Sequence, residues 1–581
     1  MRTRSLLPSM LMSTAAASIA AAAALPATAP AGATRYLVQA PSLQAAEQDV
    51  RGVGAKVEQD LGIINAVAAD LTPGQMASLQ TNADVHVFAD RSVTSASNSL
   101  TTTLAEGLTP ASTPADGTAI STPIALYQTP YPIQVGANVL QQEGITGRGV
   151  TIAVLDTGLW QDPAQNYLFR ILASIDVVNG GSGPVTGDAY GHGTHITSIA
   201  AGGASNIYGG DLGIAPQANL VIVQAFDGEG AGRYSDVISG LNWIVANQKK
   251  YNIRVLNLSF GATPESDYWN DPLNQAVMAA WKAGIVVVAA AGNSGPTAMT
   301  VGVPGNVPYV ITVGALTDNN TPYNLSDDRL ASFSSAGPTY EGFVKPEVVA
   351  PGGHMVASMN SNTYLANIDR GSMSPLESLF TMSGTSQAAA VTSGVVALML
   401  QANPSLTPDT VKCRLLAAAR PAVNSNGTLA YSVFQQGAGL INAVAAVSST
   451  ATGCANVGLN VAADLAGTQH FGGPANQDSN GNFYVMNMAG STWGTAQPSD
   501  GYAWSAAYTS AQGYTWSQGY TWSQPYSWSQ SYAWSQGFSW TKGFSWSKGY
   551  SWSKSVSWWN TTGSTATSTQ PASIVDWVPN E

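Results

Sequence analysis

Charge is the scarcest property of this 581-residue chain: Asp, Glu, Lys and Arg together make up 10% of it, against about 25% in an ordinary globular protein. What charge there is leans acidic, with 22 Lys plus Arg against 34 Asp plus Glu and a formal net charge of −12. That excludes the basic face a nucleic-acid binder needs. Two cysteines cannot build a disulfide scaffold or a cysteine-rich zinc module. Beyond the N-terminal segment no stretch holds 18 uninterrupted apolar residues, so no membrane span is expected there. Histidine occurs at His86, His192, His195, His354 and His470 alone, so any imidazole chemistry falls to one of these five.

Material for a large core is plentiful, with 45% apolar residues, and a chain of this length holds several domains of roughly 100–200 residues. Residues 1–33 open with Arg2 and Arg4, turn apolar from Leu6 to Leu25, and hold the small-x-small triplets Ala27-Thr28-Ala29 and Ala31-Gly32-Ala33. This is the pattern of a secretory signal peptide, and it places the protein outside the cell or at its surface. Residues 34–91 read as a small α+β unit, with strands at 36–38 and 85–88 and helices at 44–52 and 72–79, the second opened by Thr72-Pro73. Residues 92–123 are rich in Ser, Thr, Ala and Pro, carry only Glu106 and Asp116 as charges, and read as a linker. Residues 124–448 repeat apolar runs at 150–155, 220–223, 255–258, 285–290 and 310–313, with helical stretches such as 234–248 and 274–282 between them. Strand and helix alternating in this way predict an α/β domain with a mostly parallel sheet flanked by helices. Chemistry in such a domain is sought at the carboxyl ends of the strands. Residues 449–500 read as an irregular connector and 501–581 as a repetitive aromatic tail.

Three short segments of the large block invite a chemical reading. Asp156, followed by Thr157-Gly158, ends the run 150–155; alone it reads as a turn cap, but it can also face a crevice. His192 and His195 stand in Gly191-His192-Gly193-Thr194-His195 ahead of small residues, which sets His192 at a helix start. With no Glu between or just beyond them and no third ligand in view, the pair does not make a zinc site, and His195 reads as a structural residue one turn on. In Ser383-Gly384-Thr385-Ser386, Ser386 lies between a glycine turn and an Ala-rich helix, where a free backbone N–H can meet an anion. An N-cap is the plainer use of such a serine.

Taken together and in this order, Asp156-Thr157-Gly158, His192-Gly193-Thr194-His195 and Gly384-Thr385-Ser386 resemble the three signatures of the subtilisin-like serine protease family. The segment 64–72 and its flanks likewise resemble that family's propeptide. The resemblance implies a secreted endopeptidase made as a self-processing zymogen, whose propeptide assists folding and occupies the cleft until it is cut away. Ser386 would be the nucleophile, His192 the base and Asp156 its orienting partner, with an acyl-enzyme intermediate and no cofactor required. Ala290-Ala291-Gly292-Asn293-Ser294-Gly295 resembles the segment that carries the family's oxyanion-hole asparagine, so Asn293 and the backbone N–H of Ser386 would be the two donors. The segment 345–352 also matches a stretch leading toward the nucleophile helix. Gly228-Glu229-Gly230 and Ser259-Phe260-Gly261 resemble the two edges that pair with an extended peptide. The wall at Ala291, Gly292 and Gly302 has no acid nearby, which implies an apolar or broad primary preference, with Glu229 a candidate to favour basic residues farther along.

The chain departs from the family where a calcium loop is often found. Asn206-Ile207-Tyr208-Gly209-Gly210-Asp211 and the upstream Asp162 offer too few hard oxygens, leaving structural calcium to sites elsewhere. Alanines follow Gln387 where a proline is common. Cys413 and Cys454 are either a disulfide on the exported side of the membrane or two buried thiols. Of 16 Trp, 12 lie at or beyond Trp493, and from Trp516 to Trp558 they recur every six residues. Such a tail either contacts glycans or a cell surface through its flat aromatic groups, or packs on itself, on the protease or in an oligomer. A surface-adhesion protein whose tail is the working part is therefore the alternative to a protease, and an esterase using the same nucleophile is the second.

Overall fold

The computed structural model describes residues 32–95, 131–204, 213–318, 327–374, 378–425, 428–477, 483–486, 492–493 and 514–515. Residues 1–31, within the segment expected to be a signal peptide, the expected linker from residue 96 and nearly all of the aromatic repeat lie outside the described residues. Strands β1 (Thr34–Gln39), β2 (Val57–Leu61), β3 (Ala66–Leu71) and β4 (His86–Ala89) form an antiparallel sheet in the order β2-β3-β1-β4. Helices Leu43–Gly52 and Pro73–Leu79 accompany it, the second opened by a capping box between Thr72 and Gln75. Both faces of β3 are apolar. Successive side chains of a strand point to opposite faces, and here Val67, Ala69 and Leu71 pack into the unit's own core while Ala66 and Ala68 join the core of the large domain. A short strand β5 (Ser92–Ser95) follows, where the composition had predicted linker.

The large domain is built on β6 (Thr151–Asp156), β7 (Ile171–Asp176), β8 (Asn219–Gln224), β9 (Ala231–Arg233), β10 (Ile253–Leu258), β11 (Phe260–Gly261), β12 (Val286–Ala290), β13 (Ile311–Thr317), β14 (Arg329–Leu330) and β15 (Val348–Pro351). Its eight-stranded sheet runs β7-β8-β6-β10-β12-β13, all parallel, with β15 parallel and the short β14 antiparallel to β13. Helices cover both faces. Asn257 of β10, in register with Val154 of β6, accepts a hydrogen bond from Ser393 on helix Thr385–Ala402 at 2.9 Å. Leu155, the next residue of β6, points the other way and meets Gly240 of helix Tyr234–Tyr251, where an added Cβ would come within 2.9 Å of it. The expected mostly parallel α/β domain is the one observed.

The small sheet docks on helices Tyr234–Tyr251 and Pro272–Lys282. Gln59 donates to Asp236 at 2.8 Å, the backbone N–H of Ile63 to Asn242 at 3.0 Å, and Gln39 to Gln275 at 2.7 Å. The first of these helices has no capping side chain of its own at Arg233. Asp90 of the small unit serves instead, accepting from the backbone N–H of Ser235 at 2.9 Å and from its hydroxyl at 2.7 Å.

Two further features tie the far end of the domain together. Lys345 and Lys412 both pair with Glu347, at 2.7 and 2.9 Å, and all three are fully buried. Burial pushes the Lys345 ammonium down to about 7. Beside Lys412, Cys413 is joined to Cys454 by a disulfide, with the two Cα atoms 5.2 Å apart. The described part of residues 449–500 sets short regular elements in otherwise irregular chain. It forms helix Val461–Leu465 and short strands at Phe471–Gly472, Ala475–Gln477, Phe483–Met486 and Thr492–Trp493.

Candidate active site

Asp156 is the last residue of β6 and His192 the first of helix His192–Ala201, so both stand at the carboxyl end of the sheet. Asp156 Oδ1 lies 2.7 Å from His192 Nδ1, and both side chains are buried. The same oxygen accepts the backbone N–H of Thr157 at 2.8 Å. Close approach requires glycine at position 193, where a Cβ would run into the carbonyl oxygen of Gly158 and come 3.2 Å from Asp156 Cβ.

Two residues hold this pair in place: Thr157, to which the sequence motif assigned no role, and Asp188, which it did not single out. Thr157 Oγ1 accepts the backbone N–H of Gly193 at 2.8 Å and donates to Asp188 at 2.9 Å. Asp188 caps the histidine helix, accepting from the N–H groups of Gly191 and Thr194 at 2.7 and 2.8 Å and from the Thr194 hydroxyl at 2.7 Å. An Asp four residues ahead of a helix start was the available signal, but nothing local distinguishes it from an ordinary cap. His195 is structural: its Nε2 faces the carbonyl oxygens of Met355 and Phe380 at 3.2 and 3.1 Å, and burial pushes its imidazole down to about 3. It is therefore uncharged at neutral pH.

Ser386 is the second residue of helix Thr385–Ala402 and is buried. Its hydroxyl donates to the carbonyl oxygen of Ser259 at 3.1 Å, and the Ser259 hydroxyl returns a bond to the Ser386 carbonyl at 3.1 Å. The next residue, Gln387, places its amide 3.4 Å from His195 Nδ1, so the serine and histidine helices meet at this point. Asn293 follows β12 after a short turn. Its side-chain oxygen accepts from the backbone N–H and hydroxyl of Thr385 at 3.0 and 2.8 Å. That orientation turns the amide nitrogen away from Thr385. Thr385 Oγ1 in turn accepts the N–H of Gly292 at 3.1 Å, linking the asparagine turn to the serine helix.

The strand β5 lies in a slot between β9 and β11 and is antiparallel to both. Val93 faces Gly232, Thr94 faces Ala231 and Gly261, and Ser95 faces Phe260. Phe260 and Gly261, of the segment Ser259-Phe260-Gly261, form one edge of the slot. Gly228-Glu229-Gly230 is not the other: it is a turn held by Asp227, whose carboxylate accepts the N–H groups of Glu229 and Ala231 at 2.9 Å. The pairing strand begins one residue later, at Ala231. Glu229 is exposed on that turn. Ala291 accepts the N–H of Gly302 at 3.2 Å, so Ala291, Gly292 and Gly302 adjoin.

Asp162 caps the turn Pro163–Gln165 and accepts the Ser358 hydroxyl at 3.1 Å, whereas residues 206–211 lie outside the described residues. Among the described residues no group of three or more His, Cys, Asp or Glu side chains is placed to hold a metal ion, and no helix is long and apolar enough to cross a membrane.

The sheet thus carries a buried Asp–His pair at its carboxyl end and a serine at the start of a neighbouring helix, the residue types that a nucleophilic-serine hydrolase uses. The family model described as the Subtilase family matches residues 147–439. The serine protease AprX of Bacillus subtilis (strain 168) is 42% identical over 277 residues, covering 46% of this chain and 60% of AprX. Subtilisin DY of Bacillus licheniformis is 33% identical over 320 residues, covering 55% of this chain and 98% of that protein. Subtilisin E of Bacillus subtilis (strain 168) is 34% identical over 320 residues, 55% of this chain and 71% of that protein. The chain belongs to the subtilase family and is a serine endopeptidase.

Proposed function

We propose that this endopeptidase hydrolyses peptide bonds through Asp156, His192 and Ser386, and that it is made as an exported, self-processing zymogen. The observation that carries the reading is the buried Asp156–His192 contact of 2.7 Å, which serves no packing purpose that an apolar pair would not serve better. His192 takes the proton of Ser386 and delivers it to the leaving amine; Asp156 holds the imidazole in the Nδ1–H tautomer and stabilises its cation. In the resting state the Ser386 hydroxyl is turned to Ser259, and it must rotate toward His192 once substrate arrives. Asn293 and the Ser386 N–H then receive the negative oxygen of the tetrahedral intermediate. These groups complete the reaction without a cofactor.

Substrates are polypeptides bound in extended form between β9 and β11, in the slot that β5 fills. The unit 34–91 acts as propeptide, and β5, which follows it, is the inhibitory strand. Ser95 faces Phe260, the neighbour of Ser259, so the chain at Ser95 has already reached the vicinity of the nucleophile. N-terminal sequencing of the mature enzyme is therefore expected to find the new terminus within the first few residues beyond Ser95. A terminus before Arg91 would rule this arrangement out. Asn293→Ala is expected to lower kcat by roughly 10²–10³ with KM little changed. An equal loss carried by KM alone would assign the asparagine to binding instead.

A further inference from the structure

The segment beyond residue 450, outside the matched family region, is tied to the large domain by the Cys413–Cys454 disulfide, by Asn456 and by a polar cluster around Asp464. Asp464 on helix Val461–Leu465 is buried and accepts three bonds: from Tyr268 OH at 2.6 Å, from Tyr309 OH at 3.0 Å, and from His470 Nδ1 at 2.7 Å. The His470 ring stacks on Trp269, with centroids 4.6 Å apart and planes within 12°. The backbone N–H of Phe471 reaches Tyr268 OH at 3.3 Å, and Gly473 donates to the carbonyl oxygen of Glu341 at 2.7 Å. Glu341 in turn accepts the N–H of Tyr268 at 2.8 Å. Tyr268 and Trp269 are thus gripped from the C-terminal side by a carboxylate, an imidazole and a backbone.

The loop that carries them, residues 262–271, presents its other side to the N-terminal unit. Arg91 donates to the carbonyl oxygen of Thr263 at 2.6 Å and pairs with Glu265 at 3.0 Å and Asp271 at 3.6 Å. It also lies over the Tyr234 ring, whose hydroxyl donates to Asp271 at 3.1 Å. Trp269 itself accepts from Gln275 at 2.9 Å through its carbonyl oxygen, and Gln275 holds Gln39 at 2.7 Å. Arg91 immediately precedes the cleft strand β5.

We propose that residues 460–475 form a clasp that positions the loop 262–271, so that this C-terminal segment strengthens the hold on Arg91 and slows release of the inhibitory strand. Asp464, His470 and Trp269 are positioning residues acting through the loop, none of them touching the reacting groups. The inference rests on the propeptide reading above. An ion pair and a ring stack shared by one loop carry the effect, because the loop has a partner on each side and loosening one side frees the other.

The test follows the appearance of peptidase activity after the full-length wild-type chain is folded, beside Arg91→Ala, His470→Ala and the double variant, with Asp464→Asn as an isosteric second probe. Arg91→Ala is expected to shorten the lag. His470→Ala and Asp464→Asn are expected to shorten it about fivefold, with kcat/KM of the final enzyme unchanged. In the double variant the two effects should fall short of their product, since both act through one loop. A lag unchanged by His470→Ala and Asp464→Asn while Arg91→Ala shortens it overturns the clasp and leaves the propeptide reading intact. Strict additivity, or a loss of Tm with no change in lag, reduces His470 to a structural residue and also overturns it. Absence of any lag in the wild type and in Arg91→Ala overturns the propeptide reading and the clasp with it.

Discussion

Ser386→Ala is expected to lower kcat by roughly 10⁶, the scale on which removal of the nucleophile alone costs as much as removing the whole catalytic group. The strand pairing in the slot between β9 and β11 does not involve that side chain, so KM for a peptide should stay within a few-fold of the wild type. The substitution removes one hydrogen bond, the 3.1 Å contact with the Ser259 carbonyl, and the buried helix start can accept alanine without a clash. Folding should therefore survive, and with it a second readout. If the chain processes itself, the variant stays in one piece and intact mass shows the propeptide still attached, whereas the wild type is cut beyond Ser95. Equal processing of both chains would assign maturation to another protease. Residual peptidase activity above about 1% of wild type in a homogeneous preparation would remove Ser386 from the nucleophile's role.

The parallel sheet could be read from the chain because its strands are buried on both faces, and β6, β8 and β12 therefore carry unbroken apolar runs. The Asp156, His192 and Ser386 segments stood out for a different reason: each needs glycine beside it, and the close approach at Gly193 is the physical form of that need. The strand β5 was not legible, since Ser92-Val93-Thr94-Ser95 has the composition of a linker and is a strand only because β9 and β11 supply its hydrogen bonds. The misplaced edge at 228–230 has a similar origin. Glycine recurs at 228, 230 and 232, so the same Gly-x-Gly pattern runs across the turn and into the strand Ala231–Arg233, and pattern alone does not mark where one ends and the other begins. Asp464 and His470 could not be seen at all, because their partners Tyr268, Trp269 and Tyr309 lie more than 150 residues away in the chain.

Asp156→Asn separates two contributions that are usually lost together. In the wild type both donors that face this carboxylate, the Thr157 N–H at 2.8 Å and His192 Nδ1 at 2.7 Å, converge on the same oxygen, Oδ1. The Thr157 N–H is fixed in the backbone and can only donate. An asparagine therefore places its carbonyl oxygen at the Oδ1 position, since the opposite orientation would set an amide N–H against that fixed donor. With the oxygen there, His192 keeps its proton on Nδ1 and its Nε2 remains able to accept from Ser386. What disappears is the negative charge that stabilises the imidazolium in a buried setting. Removing one charge of a buried pair costs about 3–5 kcal/mol, so kcat/KM is expected to fall about 10³-fold, with the fold and KM little changed. A fall of about 10⁴ or more is the size expected when the tautomer is wrong, and it would mean that the amide had turned over despite Thr157. A fall of less than about tenfold would remove Asp156 from the mechanism. A crystal structure of the variant decides the orientation directly: the introduced amide nitrogen within hydrogen-bond distance of His192 Nδ1 contradicts the argument from Thr157, whatever the rate.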